Sequence, residues 1–564
     1  MGSQHRFPAF AVLIAVLIHA FPATARDDAL SLDGKSLTIS QVIQVAAQYA
    51  PVAIAPSAME NVSRSFQLLL AAAEQGIPIY GVNRGVGQNK DKPIFSGPLD
   101  AEQSKASLRF NANNLRATSA GAGPDAPEIA VRAAMLIRLN TMLVGQTGAQ
   151  PRVAELYRDF LNYGIHPVLP TRASVGEADI TILAHIGLAM MGEGEVIYAG
   201  RRMRAAEALA QAQVKPLQPF GKDSLAIMSS NAYAAAVAVL ALHDAEALLS
   251  LSLKVFALSL EALNGNVSPF LESVHSIRPY ATQGKVAAAI RHELEGSFLW
   301  SRDDKRALQD PLSYRTASHV LAVAVDALTT LREGLLVQIN SSDDNPAVIP
   351  GIRPETGAPA QVRAYYVERG ELYGAVIPTA NFEPLPWVVP LEASCIALSH
   401  VSRAAAARIT RLGAPEFTKL SRFLAPDDDT LAYSAIQKAY AALDAEIQGL
   451  SGPVSTNAVP LAGDIEDTAT NSVDAASRLR RIVDDLYGIV AIELMHAAQA
   501  IDLRLREDRS LTLGFGSGAL FNNFRGEVSF LDRDRALTSD IAVSTRFLRL
   551  LGRAVSPGTH AAAH

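Results

Sequence analysis

The sequence predicts a mainly α-helical protein, a bundle of long helices preceded by a mixed N-terminal domain. Five stretches carry that prediction: 130–145, 224–263, 313–339, 387–412 and 473–506 repeat alanine and leucine with the 3.6-residue period of a helix. Several run past about 25 residues, which suits helices packed along one another better than small separate domains. The composition agrees, because 564 residues with 49% hydrophobic and 19% charged side chains supply a large core.

Taken in order, the chain opens on a processing signal. His5 and Arg6 give a weakly basic start, residues 9–18 form an unbroken apolar run, and Ala23-Thr24-Ala25 offers small residues for cleavage. That pattern predicts a signal peptide over 1–25, a mature chain from about Arg26, and a periplasmic or secreted destination. The apolar run is too short to anchor in a bilayer, and no later segment is expected to reach the length and apolarity of a transmembrane helix. A mixed domain over 26–220 follows, then the bundle and C-terminal helices over 221–564. Breaks are expected at Pro51-Val52, at 164–170, at Pro216-Leu217-Gln218-Pro219 and at 346–359.

Several function classes drop out. A net charge of −6 provides no basic face for nucleic acid or an anionic membrane. The single cysteine, Cys395, excludes an internal disulfide and a cysteine metal cluster, and its apolar helical context marks a buried, inert thiol. Twelve scattered histidines make no case for a metal, and His185 on an apolar helix reads as structural. No Walker loop or His-Glu-x-x-His is present, and Gly514-Phe515-Gly516-Ser517-Gly518 has the wrong spacing for a nucleophile elbow.

Chemistry concentrates in a few motifs. Ala173-Ser174-Val175-Gly176-Glu177-Ala178-Asp179 runs into an apolar helix, and Ile79-Tyr80-Gly81-Val82-Asn83-Arg84-Gly85-Val86-Gly87 is a glycine-rich loop able to bend over a substrate. Further on come Gln309-Asp310-Pro311-Leu312-Ser313-Tyr314-Arg315, Asn340-Ser341-Ser342-Asp343-Asp344-Asn345-Pro346, Asn381-Phe382-Glu383, and Ile465-Glu466-Asp467. In this order and over roughly 37–506 they resemble the histidine and aromatic amino-acid ammonia-lyases. The resemblance implies the ammonia-lyase (fumarase-like) architecture, a homotetramer whose sites draw on several subunits, and a small-molecule carboxylate substrate.

Residue by residue, the resemblance makes Tyr80 the base on a mobile lid and Arg315 the anchor for the substrate carboxylate, which a guanidinium grips as a fork. Asn345 and Asn381 line the pocket, Thr118 stands in the selectivity segment Asn113–Gly121, and Glu466 occupies a position where histidine ammonia-lyases carry an active-site glutamate. The departures fall together. The family places an Ala-Ser-Gly tripeptide between the Ser-Val-Gly and the aspartate, where it cyclises to the electrophilic methylidene-imidazolone (MIO). Here only Glu177-Ala178 fill that gap. Ser229 replaces the asparagine that supports the cofactor, Leu312 replaces a tyrosine, and Thr118 stands where histidine is found in some members. Ring closure at Ala173-Ser174-Val175 would put a β-branched residue where glycine leaves room.

MIO is therefore expected to be absent, with no cofactor and no metal in its place. The parts that remain suit proton removal beside an activating group, followed by elimination, addition or migration. Glu177, in the former cofactor position, reads as an acid with a raised pKa or as a cap for the helix starting near Asp179. The leading expectation is an exported, MIO-independent lyase or isomerase for a small aromatic or imidazole-like carboxylate, with Tyr80, Glu177 and Glu466 catalytic. Arg315, Asn345, Asn381, Thr118 and Ser229 would bind the substrate. A true ammonia-lyase with an unorthodox cofactor and a non-catalytic binding protein stand as alternatives.

Overall fold

The computed structural model describes residues 29–95 and 101–555, so the expected signal peptide lies outside the described residues. Four helices form the trunk, Ala232–Leu263, Ala317–Gln338, Leu385–Leu412 and Ser472–Glu507. They pack along one another, with Glu128–Leu143 and Leu537–Val555 laid against the first of them. One apolar core, from Leu32 to Leu548, runs through both the N-terminal part and the bundle. Among the described residues the strands are short, and four small sheets, of which the largest have three strands, decorate the helices.

Two of the helices expected to be continuous are broken. The 224–263 stretch splits into Asp223–Met228 and Ala232–Leu263 at Ser229, Ser230 and Asn231. The 313–339 stretch splits at Thr316 into Leu312–Arg315 and Ala317–Gln338. Periodicity continues across each break because both halves bury apolar side chains, so the pattern alone does not register it.

The expectation that no segment reaches spanning length and apolarity is corrected. By length and composition alone, Asp223–Leu263 and Ser472–Glu507 both reach it. Their most apolar windows are 94% and 83% buried by the surrounding protein, as befits core helices of a large bundle. Within that core Arg408 pairs with Glu493, at 2.5 Å and 2.8 Å, and the Arg408 side chain also donates to the Ser313 carbonyl. Cys395 is buried, and burial pushes its thiol pKa up to about 12, in keeping with an inert packing role.

Candidate active site

Four segments far apart in sequence meet at the N-terminal end of the Ala232–Leu263 helix. The break before that helix is what makes the meeting possible. The Ser230 carbonyl accepts from the Asp179 N–H at 2.7 Å, and Asp179 in turn accepts from the Ala234 N–H at 2.8 Å, capping the first turn. Ser230 Oγ and the Asn231 N–H both donate to Asp343, at 2.8 and 3.0 Å. The Asn231 side chain donates to the Phe382 carbonyl, which brings the 379–384 turn alongside.

Beneath these contacts lies a buried ionic knot that sequence reasoning did not find. Arg138 reaches Asp343 at 3.2 Å and Asp344 at 2.7 Å, and Lys222 pairs with Asp344 while donating to the Thr147 carbonyl at 3.1 Å. All four side chains are almost completely buried. Asp343 and Asp344 thus do more than shape a turn. They gather the Lys222 segment, the Arg138 helix and the helix break into one rigid floor.

On that floor the 173–179 loop is tightly held. The Val175 carbonyl accepts from the Thr470 and Asn471 N–H groups at 3.1 and 2.7 Å. Ser174 Oγ donates to Asp179 at 2.8 Å and accepts from the Gly176 N–H at 3.1 Å. Gly176 has φ +101°, and a Cβ there would fall 2.2 Å from Thr470 Oγ1 and 2.8 Å from two backbone nitrogens. Only glycine fits, and the turn it makes carries Glu177 into the site.

Glu177 meets two other carboxyl groups. Glu383 and Glu466 both place negative charge beside it. Burial first, and then these neighbours, push its pKa up to about 8, so at neutral pH Glu177 is largely protonated. Glu177 Oε1 is buried without a hydrogen-bond partner among the described residues. Glu383 is held in turn, accepting from the Leu385 N–H at 2.9 Å. Glu466 also has a raised pKa through burial. Together with Ser174 and Val175, Glu177 and Glu466 line a cavity of about 1720 Å³.

Tyr80 stands next to Glu466 on the glycine-rich loop. Gly81 packs so closely on Leu225 that a Cβ would come within 2.6 Å of its side chain, and Gly87 faces Ala462. The Tyr80 hydroxyl accepts from the Gly87 N–H at 2.8 Å. Burial raises its pKa, the Gly87 N–H pulls part of the way back, and the negative charge of Glu466 adds a lesser push upward. In this state the phenol keeps its proton.

The remaining expected residues divide into two groups. Asn345 Oδ1 accepts from the Thr379 N–H at 3.0 Å, and the Asn381 N–H donates to Thr379 Oγ1 at 3.4 Å, so both belong to the turn that ends in Glu383. Ser229 is buried at the helix break. Thr118 is half-buried and bonds to Asn114, whose amide donates to Ser224 at 3.1 Å on the neighbouring helix. Arg315 is elsewhere. Its Nε donates to the Asp310 carbonyl at 2.8 Å, and the adjacent Tyr314 hydroxyl lies 3.2 Å from Ser259 Oγ. Ser259 is 26 residues along the helix from Tyr233, about 39 Å at the α-helical rise. Within one chain Arg315 and Glu177 sit at opposite ends of the bundle.

Glu383 escaped the sequence reading as a site residue. Its signal was present in Asn381-Phe382-Glu383, an acidic residue in one of the motifs that carry the resemblance. That acidic residue matches the acidic one at Glu177.

Residues 37–526 match the model of the aromatic amino acid lyase family. The chain belongs to the aromatic amino acid lyase family. Among other members, histidine ammonia-lyase of Geobacillus thermodenitrificans is 32% identical over 522 residues, covering 92% of this chain and 97% of that one. The ergothioneine-degrading ergothionase of Treponema denticola superposes with a TM-score of 0.83 at 39% identity, covering 93% of this chain and 99% of the other. Tyrosine aminomutase of Streptomyces globisporus gives 0.81 at 29%, covering 94% and 99%. The mainly helical ammonia-lyase architecture expected from the sequence is thus the observed one, and this lyase-family chain is an enzyme of the ammonia-lyase superfamily.

Proposed function

We propose that the protein is a MIO-independent elimination lyase that expels a tertiary amine from a small betaine bearing an imidazole-like or aromatic side chain. One observation carries the reading. Where the family builds an electrophile, this chain presents Glu177, buried beside the negative charge of Glu383 and Glu466. An electrophile serves to make a poor nitrogen leaving group depart. A nitrogen carrying three alkyl groups besides its bond to the substrate carbon is a permanent cation and leaves as a neutral amine without one. Carboxyl groups are the natural neighbours of such a cation. The Treponema relative degrades ergothioneine, which is itself a trimethylammonium betaine.

The 173–179 loop supports the absence of MIO. Ring closure would need the Val175 nitrogen to attack the Ala173 carbonyl. Val175 is β-branched, its carbonyl is held by two N–H groups, and Ser174 Oγ is committed to Asp179 and Gly176.

In the proposed reaction the substrate carboxylate is gripped by Arg315 and Asn345, and the cationic nitrogen faces Glu177 and Glu466. That positive charge lowers the pKa of Tyr80, whose phenol proton passes to solvent, and the phenolate then takes the β-proton. The electron pair of the broken C–H bond becomes the new double bond, and the C–N pair leaves with the amine. Arg315 belongs, in this reading, to another copy of the chain in a homotetramer. Residues 1–25 direct export.

The test is incubation of the purified protein with ergothioneine and with Nα-trimethylhistidine, following trimethylamine release, beside L-histidine. Amine release from the betaines and none from histidine is expected, together with an intact mass that shows no loss of two waters. Ammonia from histidine, or a dehydrated 173–179 peptide, would return the protein to conventional ammonia-lyase chemistry.

A further inference from the structure

We infer that the Tyr233 hydroxyl donates a hydrogen bond to an acceptor atom on the substrate's ring, and that the site therefore takes imidazole-like rings in preference to phenyl; this rests on the proposed betaine reading and narrows its substrate class. No step of that reaction so far uses Tyr233.

Tyr233 is the second residue of the Ala232–Leu263 helix. Hydrogen bonds on either side of it clamp this first turn to the loop that carries Glu177. One runs from the Asp179 N–H to the Ser230 carbonyl at 2.7 Å, the other from the Ala234 N–H to Asp179 Oδ2 at 2.8 Å. The Tyr233 side chain lines the cavity of about 1720 Å³ together with Ser174, Glu177 and Glu466. Val237, one turn further along the same face of the helix, lines it too. Tyr80 stands beside Glu466, so both phenols belong to the neighbourhood of the carboxyl groups.

The hydroxyl is the informative atom. Tyr233 is only 2% exposed, yet its hydroxyl makes no hydrogen bond among the described residues. Buried tyrosines usually find a partner for that group. The buried Tyr314 has Ser259 Oγ at 3.2 Å, and Tyr440 has Thr410 Oγ1 at 2.9 Å. Asp179, the nearby charge that acts on Tyr233, is already engaged: Oδ1 accepts from Ser174 Oγ at 2.8 Å and Oδ2 from the Ala234 N–H. A donor is thus left over on the cavity wall.

Of the parts of a betaine, the ring is the one left to meet it. The carboxylate goes to Arg315 and Asn345, and a quaternary nitrogen has neither a lone pair nor an N–H. A phenyl ring offers no in-plane acceptor, whereas an imidazole-like ring offers a nitrogen or, in a thione, a sulfur. The same contact assists the chemistry. As the Tyr80 phenolate takes the β-proton, the C–H electron pair spreads from the β-carbon into the attached ring, then closes the double bond while the C–N pair leaves with the amine. A hydrogen bond at the ring heteroatom stabilises that passing charge. The Tyr233 proton stays on its own oxygen throughout, in keeping with a pKa raised by burial and, secondarily, by the charge of Asp179.

Two rates and two affinities test this. The rates are kcat/KM for trimethylamine release from Nα-trimethylhistidine and from Nα-trimethylphenylalanine. The affinities, by isothermal titration calorimetry, are those for imidazolylacrylate and cinnamate, which carry the same two rings and have no amine to lose. Wild-type protein is expected to favour the imidazole ring by about tenfold or more in both measurements. Tyr233→Phe keeps the aromatic ring and removes only the hydroxyl. It is expected to cut the preference in kcat/KM by about 10–100-fold and to bring the two affinities together. The wild-type comparison needs no variant to fold. Wild-type protein that binds the two acrylates equally, or binds neither, would overturn the inference. So would a preference that survives in Tyr233→Phe, including a variant slowed on both betaines by the same factor, which marks a merely structural tyrosine. If both betaines release trimethylamine at similar rates, the ring contact fails while the proposed reaction stands. If neither betaine reacts, yet wild-type protein prefers imidazolylacrylate and Tyr233→Phe does not, the ring contact stands and the reaction falls.

Discussion

Glu177 couples stability to pH through the proton it holds. Its pKa is raised in the folded protein from 4.5 to about 8, so between those values the native state keeps a proton that the unfolded chain has lost. A group of that kind costs the fold stability as pH rises through the window, and the full cost is present above about 8. Glu177→Gln, which never ionises, is expected to melt higher than wild type at pH 8–9 and at nearly the same temperature at pH 5. Thermal scans across that range check it, and an equal melting difference at both pH values would refute the raised pKa. Activity separates from stability at Tyr80. Tyr80→Phe keeps the ring and loses the proton acceptor, so kcat on a betaine substrate is expected to fall by about 10²–10⁴, with cation binding retained. The sequence made Tyr80 and Glu466 legible through their motifs. Glu383 was not legible, because its meaning lies in the charge it places beside Glu177, about two hundred positions earlier, and no local pattern encodes such a neighbour.

Helices show the same limit one level up. The 130–145, 387–412 and 473–506 predictions match the observed Glu128–Leu143, Leu385–Leu412 and Ser472–Glu507 closely, because a buried helix writes its period into its own residues. The break at 229–231 is written elsewhere. It exists because Asp179 and Asp343 offer the freed backbone and the Ser230 hydroxyl better partners than a continued helix would. The glycine run at 514–518, which matched no catalytic motif, has a structural explanation. Gly514 starts the Phe515–Arg525 helix and donates its N–H to Glu261 at 2.7 Å. A Cβ there would lie 2.5 Å from the Glu293 carbonyl oxygen and 2.7 Å from Leu294 Cα, both backbone atoms unable to swing aside. Gly514→Ala is therefore expected to destabilise the protein by about 1–3 kcal/mol. Chemical denaturation would register it as a lower midpoint, whereas an unchanged midpoint would mean that the helix start shifts freely.

At the scale of the whole molecule, the distance between Arg315 and the carboxyl cluster is the fact that needs a cause. About 39 Å of helix lies between Tyr233, beside the cluster, and Ser259, beside Tyr314. A carboxylate anchor and a base cannot act on one small substrate across that gap. Apolar side chains on the outside of the bundle point to the remedy. Leu312 is 63% exposed next to Arg315, and Leu385, Val389 and Ile396 make an exposed apolar row along one face of the Leu385–Leu412 helix. Rows of that kind are buried when like helices pack, and a closed symmetric assembly repeats the contact in every copy. On the proposed tetramer, Arg315 of one copy reaches the Tyr80 and Glu177 of another. Tyr80→Phe and Arg315→Gln, each nearly inactive alone, should then complement one another. Expressed together in equal amounts, they place both native residues in about a quarter of the sites, so activity returns to about a quarter of wild type. The assay is amine release by the co-purified mixture against each variant alone. Were the mixture no more active than the average of its parts, Arg315 would have to serve its own chain, and the separation seen along the bundle would rule it out as the anchor.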